Sequence, residues 1–273
     1  DIMVRGLYTA YSGMRNEQKR LDVISNNLAN AATIGYKTEG VTNQSFDHML
    51  TLKIKDSSVI NRNEAIGNMS LGVKIGEAYT DYAQGSLRET NSTFDFAIEG
   101  KGFFMIQQGD GSVAYTRNGN FSLSTGINGT TLATSSGKPV LDSNGTPIVL
   151  DSSYDTSKLT IDDNGNLSYP DETNNAQPIG IQIGLVQFNN PSGLEKMSES
   201  LYKETLASGE ARLESQDESI SKSKVHQKYI EGSNVQAVDE MVNLIVAQRA
   251  YEMNSKTITA SDEMLSQANN LRR

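Results

Sequence analysis

Residues 233–273 read SNVQAVDEMVNLIVAQRAYEMNSKTITASDEMLSQANNLRR and contain neither proline nor glycine. Ser233, followed by Gln236 three residues later, is typical of a helix capping box. Arg272 and Arg273 complement the helix dipole at the far end. The stretch therefore predicts one C-terminal helix, which would reach about 60 Å at a rise of about 1.5 Å per residue.

Two apolar stripes run along this predicted helix when its residues are placed at intervals of about 100°. The first stripe consists of Leu244, Tyr251, Ile258 and Leu265. The second consists of Ala250, Thr257, Met264 and Leu271. A narrow charged face, which includes Glu263, remains for water. One partner helix covers only one stripe, so the pattern predicts neighbours on two sides: a second chain, or further helices of a larger intramolecular bundle.

The N-terminal segment shows the same period. Its seven-residue repeat consists of Leu7, Met14, Leu21 and Leu28, with Ala10, Ile24 and Ala31 at the intermediate positions. We expect a helix over about residues 4–31, with Gly35 as a left-handed stop. This helix can cover one stripe of the C-terminal helix.

The middle of the chain has the composition of a β domain. All five prolines lie between positions 139 and 191. Apolar or alternating runs at 94–98, 103–106 and 179–185 predict strands. Asn-Gly steps at 118–119, 128–129, 144–145 and 164–165 predict hairpin turns between strands. We expect a core that contains Phe94, Phe96, Phe103, Ile106 and Phe121.

These features together predict an α+β protein. Long N- and C-terminal helices pack together, and extended connectors join them to a central antiparallel β domain. We expect an N-terminal helix at 3–33, a connector at 34–90, the β domain at 91–204, a second connector at 205–231 and the C-terminal helix at 232–273.

The charge of the chain argues against polyanionic partners. The formal net charge is -9, and residues 34–232 hold 16 basic and 25 acidic residues, so the two ends are nearly neutral. We therefore expect neither nucleic acid nor an anionic lipid surface as the main partner. The start DIMVRGLYTAYSGM lacks the apolar core of a secretory signal, and no apolar run reaches 18 residues, so no membrane insertion is expected.

The residues needed for catalysis or metal binding are scarce. There is no cysteine, and the two histidines, His48 and His226, lack ligand-type spacing and are expected at the surface. The acidic run Asp162–Asn166 is expected to form a turn and not a calcium loop, because Leu167 stands where that loop needs its obligatory glycine. Gly100–Gly102 precedes an apolar run and not a helix, so it predicts a strand connection and not a phosphate site. We expect no enzyme activity, no cofactor and no metal.

Four stretches carry a resemblance to a known family. LDVISNNLANAATIGYK (21–37), FDFAIEGKGFF (94–104), AYTRNGNFSL (114–123) and the segment 231–265 closely resemble flagellar rod and hook proteins. The resemblance is strongest to the distal-rod member, with a proximal-rod or hook-type axial protein as the alternative. A secreted β-domain adhesin with helical oligomerisation ends, or an enzyme with an unrecognised carboxylate site, would be the other classes.

The resemblance implies a structural subunit that polymerises helically into a torque-transmitting hollow shaft. It implies export through the flagellar type III apparatus, self-association, and contacts with other rod subunits, hook or hook-junction proteins and surrounding rings. The polymerisation interface would include both stripes and the seven-residue repeat. Asn26, Asn27 and Asn30 would then form hydrogen bonds between subunits, and the alternative for these three is a solvated helix end.

Overall fold

The structure, a computed structural model, describes residues 2–45, 49–50, 68–69, 73–126 and 129–270. Within these ranges two long helices flank a set of short strands, so the predicted α+β class is confirmed. The chain divides into two compact units. Unit 1 holds Asp1–Ala29, Glu39–Tyr79 and Gln236–Arg273, and unit 2 holds Asn30–Thr38 and Thr80–Val235. The domain boundaries drawn from composition stay predictions.

Unit 1 is built on two helices, α1 (Ile2–Ala29) and α2 (Ala237–Asn270), which pack against each other. Helix α1 begins and ends within two residues of the predicted span. Strand β1 (Glu39–Ser45) pairs with β4 (Val73–Thr80), and β2 (Met49–Leu50) pairs antiparallel with β3 (Asn68–Met69).

The start of α2 differs from the predicted capping box. The hydroxyl of Ser233 accepts a hydrogen bond from the Val235 amide at 3.2 Å, which closes a turn before the helix. The first helical hydrogen bond runs from the Glu240 amide to the Gln236 carbonyl, so the helix starts three residues later than predicted. Asp239 and Glu240 supply the negative charge that favours a helix N-terminus. Arg272 and Arg273 lie outside the described residues.

Unit 2 consists of short antiparallel strands. In chain order they are β5 (Leu87–Glu89), β6 (Phe96–Glu99), β7 (Phe103–Gln107), β8 (Val113–Thr116), β9 (Phe121–Gly126), β10 (Gly129–Thr134), β11 (Val149–Leu150), β12 (Thr160–Ile161), β13 (Asn166–Pro170), β14 (Ala176–Gln182), β15 (Leu185–Gln187), β16 (Glu195–Lys196), β17 (Leu201–Lys203), β18 (Arg212–Leu213), β19 (Lys224–Gln227) and β20 (Tyr229–Glu231). The largest sheet has the order β16-β17-β8-β7-β15-β18. Three-stranded sheets β11-β10-β9 and β12-β13-β14 and the pairs β19-β6 and β20-β5 complete the unit.

Strand β7 lies at the centre of unit 2 and is buried on both faces. Side chains alternate across a strand, so Phe104 and Ile106 enter one core while Phe103 and Met105 enter another. This explains why the sequence of β7 is an unbroken apolar run. Phe103 and Ile106, predicted to share a core, therefore lie on opposite faces of the sheet. Phe96 and Phe121 join Ile106, and Phe94 packs at the edge of that core.

The predicted strand at 179–185 is two strands that belong to different sheets, β14 and β15. The break falls at Ile183–Gly184, where Ile183 forms a bridge to Asp142. A Cβ atom on Gly184 would lie 2.5 Å from the Asp142 carbonyl oxygen, so only glycine allows this close approach. Apolar residues alternate across the break, so the sequence alone did not indicate where one strand ends and the next begins.

Aspartate side chains hold most of the turns of unit 2. Each of the following accepts a hydrogen bond from the amide two residues later: Asp81, Asp110, Asp142, Asp151, Asp155, Asp162, Asp171 and Asp217. The turn predicted at Asp162–Asn166 is thereby confirmed. The Asn-Gly steps at 144–145 and 164–165 form hairpin turns, the step at 118–119 links strands of different sheets, and Asn128 lies outside the described residues.

These turns predict acid sensitivity. Hydrogen bonds from the Ser219 hydroxyl and amide, and then from Arg212, lower the pKa of Asp217 from 3.8 to about 2. A carboxylate with a depressed folded pKa stabilises the fold above its unfolded pKa and loses that contribution as pH falls through the folded pKa. We expect the free energy of unfolding of unit 2 to decrease between about pH 4 and pH 2. Asp217→Asn should make this decrease shallower in urea unfolding; an unchanged slope would contradict the assignment.

Candidate assembly interface

The α1 residues predicted for an interface lie partly against α2. Leu7, Met14, Leu21 and Leu28 are half-buried. The most deeply buried apolar side chains of α1 are Ala10, Val23 and Ile24. The buried side of α1 is therefore shifted from the seven-residue repeat, and it contains polar groups such as Asn16, which is 3% exposed. Gly13 lies against the Asn254 amide, where an added Cβ atom would approach to 2.8 Å.

The two predicted stripes of α2 have different surroundings. Every member of the first, Leu244, Tyr251, Ile258 and Leu265, is half-buried, and Ala247 and Ser261 on the same side are buried. In the second, Ala250 is half-buried, Thr257 is exposed and Met264 is 50% exposed. Leu271 lies outside the described residues. The first stripe is thus largely used within the chain, whereas the second is open.

A further apolar surface, missed in the sequence, lies at the start of α2. It consists of Val238, Met241, Val242, Ile245 and Val246, each at least half exposed. We call these five residues the α2 patch. Their spacing of three and one places them on one side of the helix. The signal was present in the sequence, but a search for strict seven-residue repeats passes over it.

Tyrosines extend the exposed apolar surface to α1, where Tyr8 and Tyr11 are 72% and 59% exposed. Of the thirteen large apolar side chains exposed in the described residues, nine belong to α1 or α2. Such a concentration is typical of a protein interaction site and not of a solvated monomer surface.

The three predicted interface asparagines have partners within their own chain. Asn27 is 1% exposed and pairs with both main-chain groups of Glu39: its Oδ1 accepts from the amide at 2.9 Å and its Nδ2 donates to the carbonyl at 2.8 Å. Asn30 Oδ1 accepts from the Thr33 hydroxyl at 3.2 Å. Asn26 is exposed and reaches the Glu39 carboxylate at 3.4 Å. Inter-subunit bonding by these residues stays a prediction.

A buried ionic cluster joins three of the quoted motifs within unit 2. Lys37 Nζ lies 2.7 Å from Glu231 Oε1, and Arg117 Nε lies 3.2 Å from Glu231 Oε2. The side chains of Lys37 and Glu231 are 0% exposed and that of Arg117 is 2% exposed. We call these three residues the Glu231 cluster. Since charged side chains are usually exposed, nothing in the single sequence indicated it.

Main-chain groups also bond to the Glu231 cluster, although Glu231 Oε2 has only its ion pair with Arg117 and no hydrogen bond. Lys37 Nζ donates to the Ala83 carbonyl at 2.7 Å, and Glu231 Oε1 accepts from the Gly85 amide at 2.9 Å. The Arg117 guanidinium donates to the carbonyls of Gly102 at 2.6 Å and Gly100 at 2.7 Å. Burial lowers the pKa values of Lys37 and Arg117, and the Glu231 carboxylate opposes this effect at both groups.

Asn234 adds a second, uncharged tie beside the cluster. Its Oδ1 accepts from the amide and the hydroxyl of Thr38, each at 2.8 Å. Its Nδ2 donates to the carbonyls of Asp81 at 2.9 Å and Ala83 at 3.1 Å. The segments 30–38, 80–85 and 231–235 are therefore held together by polar side chains.

Gly35, predicted only as a helix stop, has a packing role here. Its φ is +66°, its amide donates to the Glu231 carbonyl at 2.8 Å, and a Cβ atom would lie 2.6 Å from the Asn118 amide nitrogen. Tyr36 is buried next to it, with Lys196 Nζ 4.3 Å from its ring centre. The GYK end of the first motif is thus packed within unit 2.

The described residues hold little that points to catalysis. No group of three or more His, Asp or Glu in them is arranged to hold a metal ion. His226 is half-buried and bonds Glu99 at 2.7 Å, while His48 lies outside the described ranges. A polar cavity of about 280 Å³ includes Glu214 and Ser223 in its lining. The Glu214 carboxylate there accepts from the Ser223 amide and hydroxyl and from Gln187, so it stabilises the fold.

No helix within the described ranges has the length and apolar character that a membrane span requires.

Three family models match the chain. The model described as "Flagella basal body rod protein" matches residues 7–37. "Flagellar hook protein FlgE/F/G D1 domain" matches residues 97–169, and "Flagellar basal body rod FlgEFG protein C-terminal" matches residues 226–271. The matches contain Lys37, Arg117 and Glu231, one in each.

Curated relatives match over nearly the whole length. Flagellar basal-body rod protein FlgG of Bacillus subtilis is 39% identical, over 99% of this chain and 100% of the relative. FlgG of Borreliella burgdorferi is 38% identical over the same shares. The flagellar hook-basal body complex protein FlhP of Bacillus subtilis is 31% identical, also over 99% of this chain and 100% of the relative.

The close approach at Gly35 gives a stability prediction. Gly35→Ala should lower the free energy of unfolding of unit 2 by about 1–2 kcal/mol for the left-handed backbone, and by about 1–3 kcal/mol more for the clash with Asn118. Gly137 is the matched control, because its φ is +80° and nothing lies within 4 Å of its Cβ position. Gly137→Ala should therefore show the backbone cost alone. Equal losses for the two variants in urea unfolding would show that the clash is relieved.

Proposed function

The chain belongs to the flagellar basal-body rod protein family, and on this premise we propose that it polymerises helically into the hollow, torque-transmitting shaft of the basal body. The relatives named FlgG support the distal rod as its position. The protein is a structural component of the flagellum, and its working form is the assembled polymer.

The exposed apolar surface of the two helices is the observation that carries the proposal. Five apolar side chains in the α2 patch would be costly to leave in water, at about 25 cal/mol for each Å² of apolar surface. Assembly removes this cost because neighbouring copies cover the patch. The open second stripe of α2, with Met264 exposed, would be covered in the same way.

Surfaces on different helices favour a head-to-tail contact. When a patch meets a different patch on the next copy, repetition of that contact produces an open helical polymer unless the rotation between copies closes a ring. The α2 patch and the Tyr8–Tyr11 pair are two such unlike surfaces. We include both in the interface, together with the predicted stripe residues of α1 and α2.

The acidic β unit is not suited to burial in such a contact. Residues 34–232 hold nearly all of the net negative charge, whereas the helical ends are close to neutral. Charged groups remain in water at low cost, so charge favours contacts between copies through the helices and leaves the β unit in water.

Partners and the absence of catalysis follow from the same premise. The family assembles with other rod and hook components. We propose contacts with hook or hook-junction proteins and surrounding rings, and export through the flagellar type III apparatus. We also propose that the protein has no enzyme activity, because its buried carboxylates, such as Glu231 and Glu214, are occupied by hydrogen bonds and ion pairs of the fold.

Assembly should depend on the α2 patch. Ile245 is 57% exposed, so Ile245→Asp should leave the single chain folded but require a desolvated carboxylate at every contact of the polymer. We expect no sedimentable polymer and no motility in cells that carry it as the sole copy. Ile258→Asp should also block assembly and, because Ile258 is half-buried, weaken the pairing of α1 with α2.

The control is Glu263→Gln, on the exposed charged face of α2. Such surface changes usually alter stability by within about 0.5 kcal/mol, so this variant should assemble and support motility. Circular dichroism should show a folded β unit in all three proteins. Normal polymers of Ile245→Asp would remove the patch from the interface, and normal polymers of Ile258→Asp would remove the first stripe.

Order in the helices should rise with assembly. A helix pair with polar groups in its seam and apolar groups outside gains much of its stabilisation from neighbours. We expect weak amide protection across residues 240–265 in a dilute monomer and strong protection in the polymer. Hydrogen exchange measures both states, and uniformly strong protection in a verified monomer would contradict this expectation.

A further inference from the structure

Two residues of the Glu231 cluster, Lys37 and Glu231, stand in the sequence next to points where the chain passes from one unit to the other. The polypeptide crosses from one unit to the other after residues 29, 38, 79 and 235. The unit 2 segments that begin or end at these crossings are 30–38, 80–85 and 231–235. Lys37, Glu231 and Asn234 link all three segments through hydrogen bonds.

The partners in this cluster are far apart in the sequence. Lys37 and Glu231 are separated by 194 residues. Strands β19 and β20, which precede and include Glu231, also pair with the much earlier strands β6 and β5. Residues 224–231, near the end of unit 2, therefore contact Lys37, β5 and β6, which come much earlier in the chain.

Without Glu231, the two cations of the cluster would be buried with too little negative charge. Lys37 would keep the Ala83 carbonyl and the more distant Asp81, and Arg117 would keep two carbonyls with Glu214 and Tyr202 in its surroundings. Removing one partner of a buried ion pair is strongly destabilising because the remaining charge is left uncompensated.

We propose that the folding of unit 2 depends on Glu231. Unit 2 cannot close around Lys37 and Arg117 until residue 231 is available. Since a chain leaves the ribosome with its N-terminus first, the cations are present long before their counter-ion. Unit 2 then stays open until the segment 231–235 arrives, and α2 is the only described element that follows. This inference does not depend on the proposed function.

The charge requirement can be tested on the full chain. Glu231→Gln keeps the size of the side chain but removes its charge and replaces one accepting oxygen by a donating NH2 group. We expect the folding equilibrium constant of unit 2 to fall by about two to three orders of magnitude. Adding Lys37→Met to this variant removes one uncompensated cation and should restore at least about tenfold.

An exposed ion pair of the same length provides the control. Lys138 Nζ lies 2.7 Å from Glu199 Oε2, but these side chains are 24% and 49% exposed. Glu199→Gln should change the folding constant by less than about fivefold, as for surface pairs. A comparable loss for Glu199→Gln and Glu231→Gln, or no recovery with Lys37→Met, would overturn the proposal.

Timing can be tested on ribosome-stalled chains of increasing length, with protease resistance of β7 and β8 as the readout. Resistance is expected once residues 231–235 have left the ribosome, and not before. Stalled chains of that length with Glu231→Gln should remain sensitive. Resistance in shorter chains would overturn the proposal, and resistance in the Glu231→Gln chain would show that pairing of β19 and β20, and not charge, completes the unit.

Discussion

A carboxylate that is completely removed from water needs positive charge and hydrogen-bond donors fixed around it. Glu231 obtains these from Lys37, Arg117 and the Gly85 amide, which come from three distant parts of the sequence. The backbone next to Lys37 also contacts residue 231. Gly35 adopts a left-handed conformation, and its amide donates to the main-chain carbonyl of Glu231.

The contacts of Glu231 bring together recognisable motifs that are scattered along the chain. GYK at 35–37, TRNG at 116–119 and EGSN at 231–234 are short and separate in sequence, yet they meet in one buried cluster. The strings that carry the family resemblance are thus brought together inside unit 2. The helices differ from this cluster, because many of their large apolar side chains are exposed.

Local sequence patterns predicted the positions of both helices and of β7. They did not predict contacts between residues far apart in the sequence. The period of α1 and the proline-free run of α2 located both helices, and the apolar run at 103–106 located β7. Ser233 was wrongly predicted as a helix cap, because a hydroxyl that closes a turn has the same sequence signature. Lys37 and Glu231 were invisible because a single sequence does not show that two charged residues 194 positions apart meet and exclude water. The α2 patch could be found in the sequence but was missed, since only Val238 and Ile245 of its five residues stand seven positions apart.

The hairpin turns held by Asp142, Asp162 and Asp171 contribute no residue to the Glu231 cluster. Each turn is closed by its own aspartate, so a longer loop at these points would leave the contacts of the Glu231 cluster unchanged. Evolution can therefore enlarge or decorate the β unit at its tips while the helical ends stay unchanged. Proteins of this family can therefore differ in the length of these turns and still keep the same buried charges.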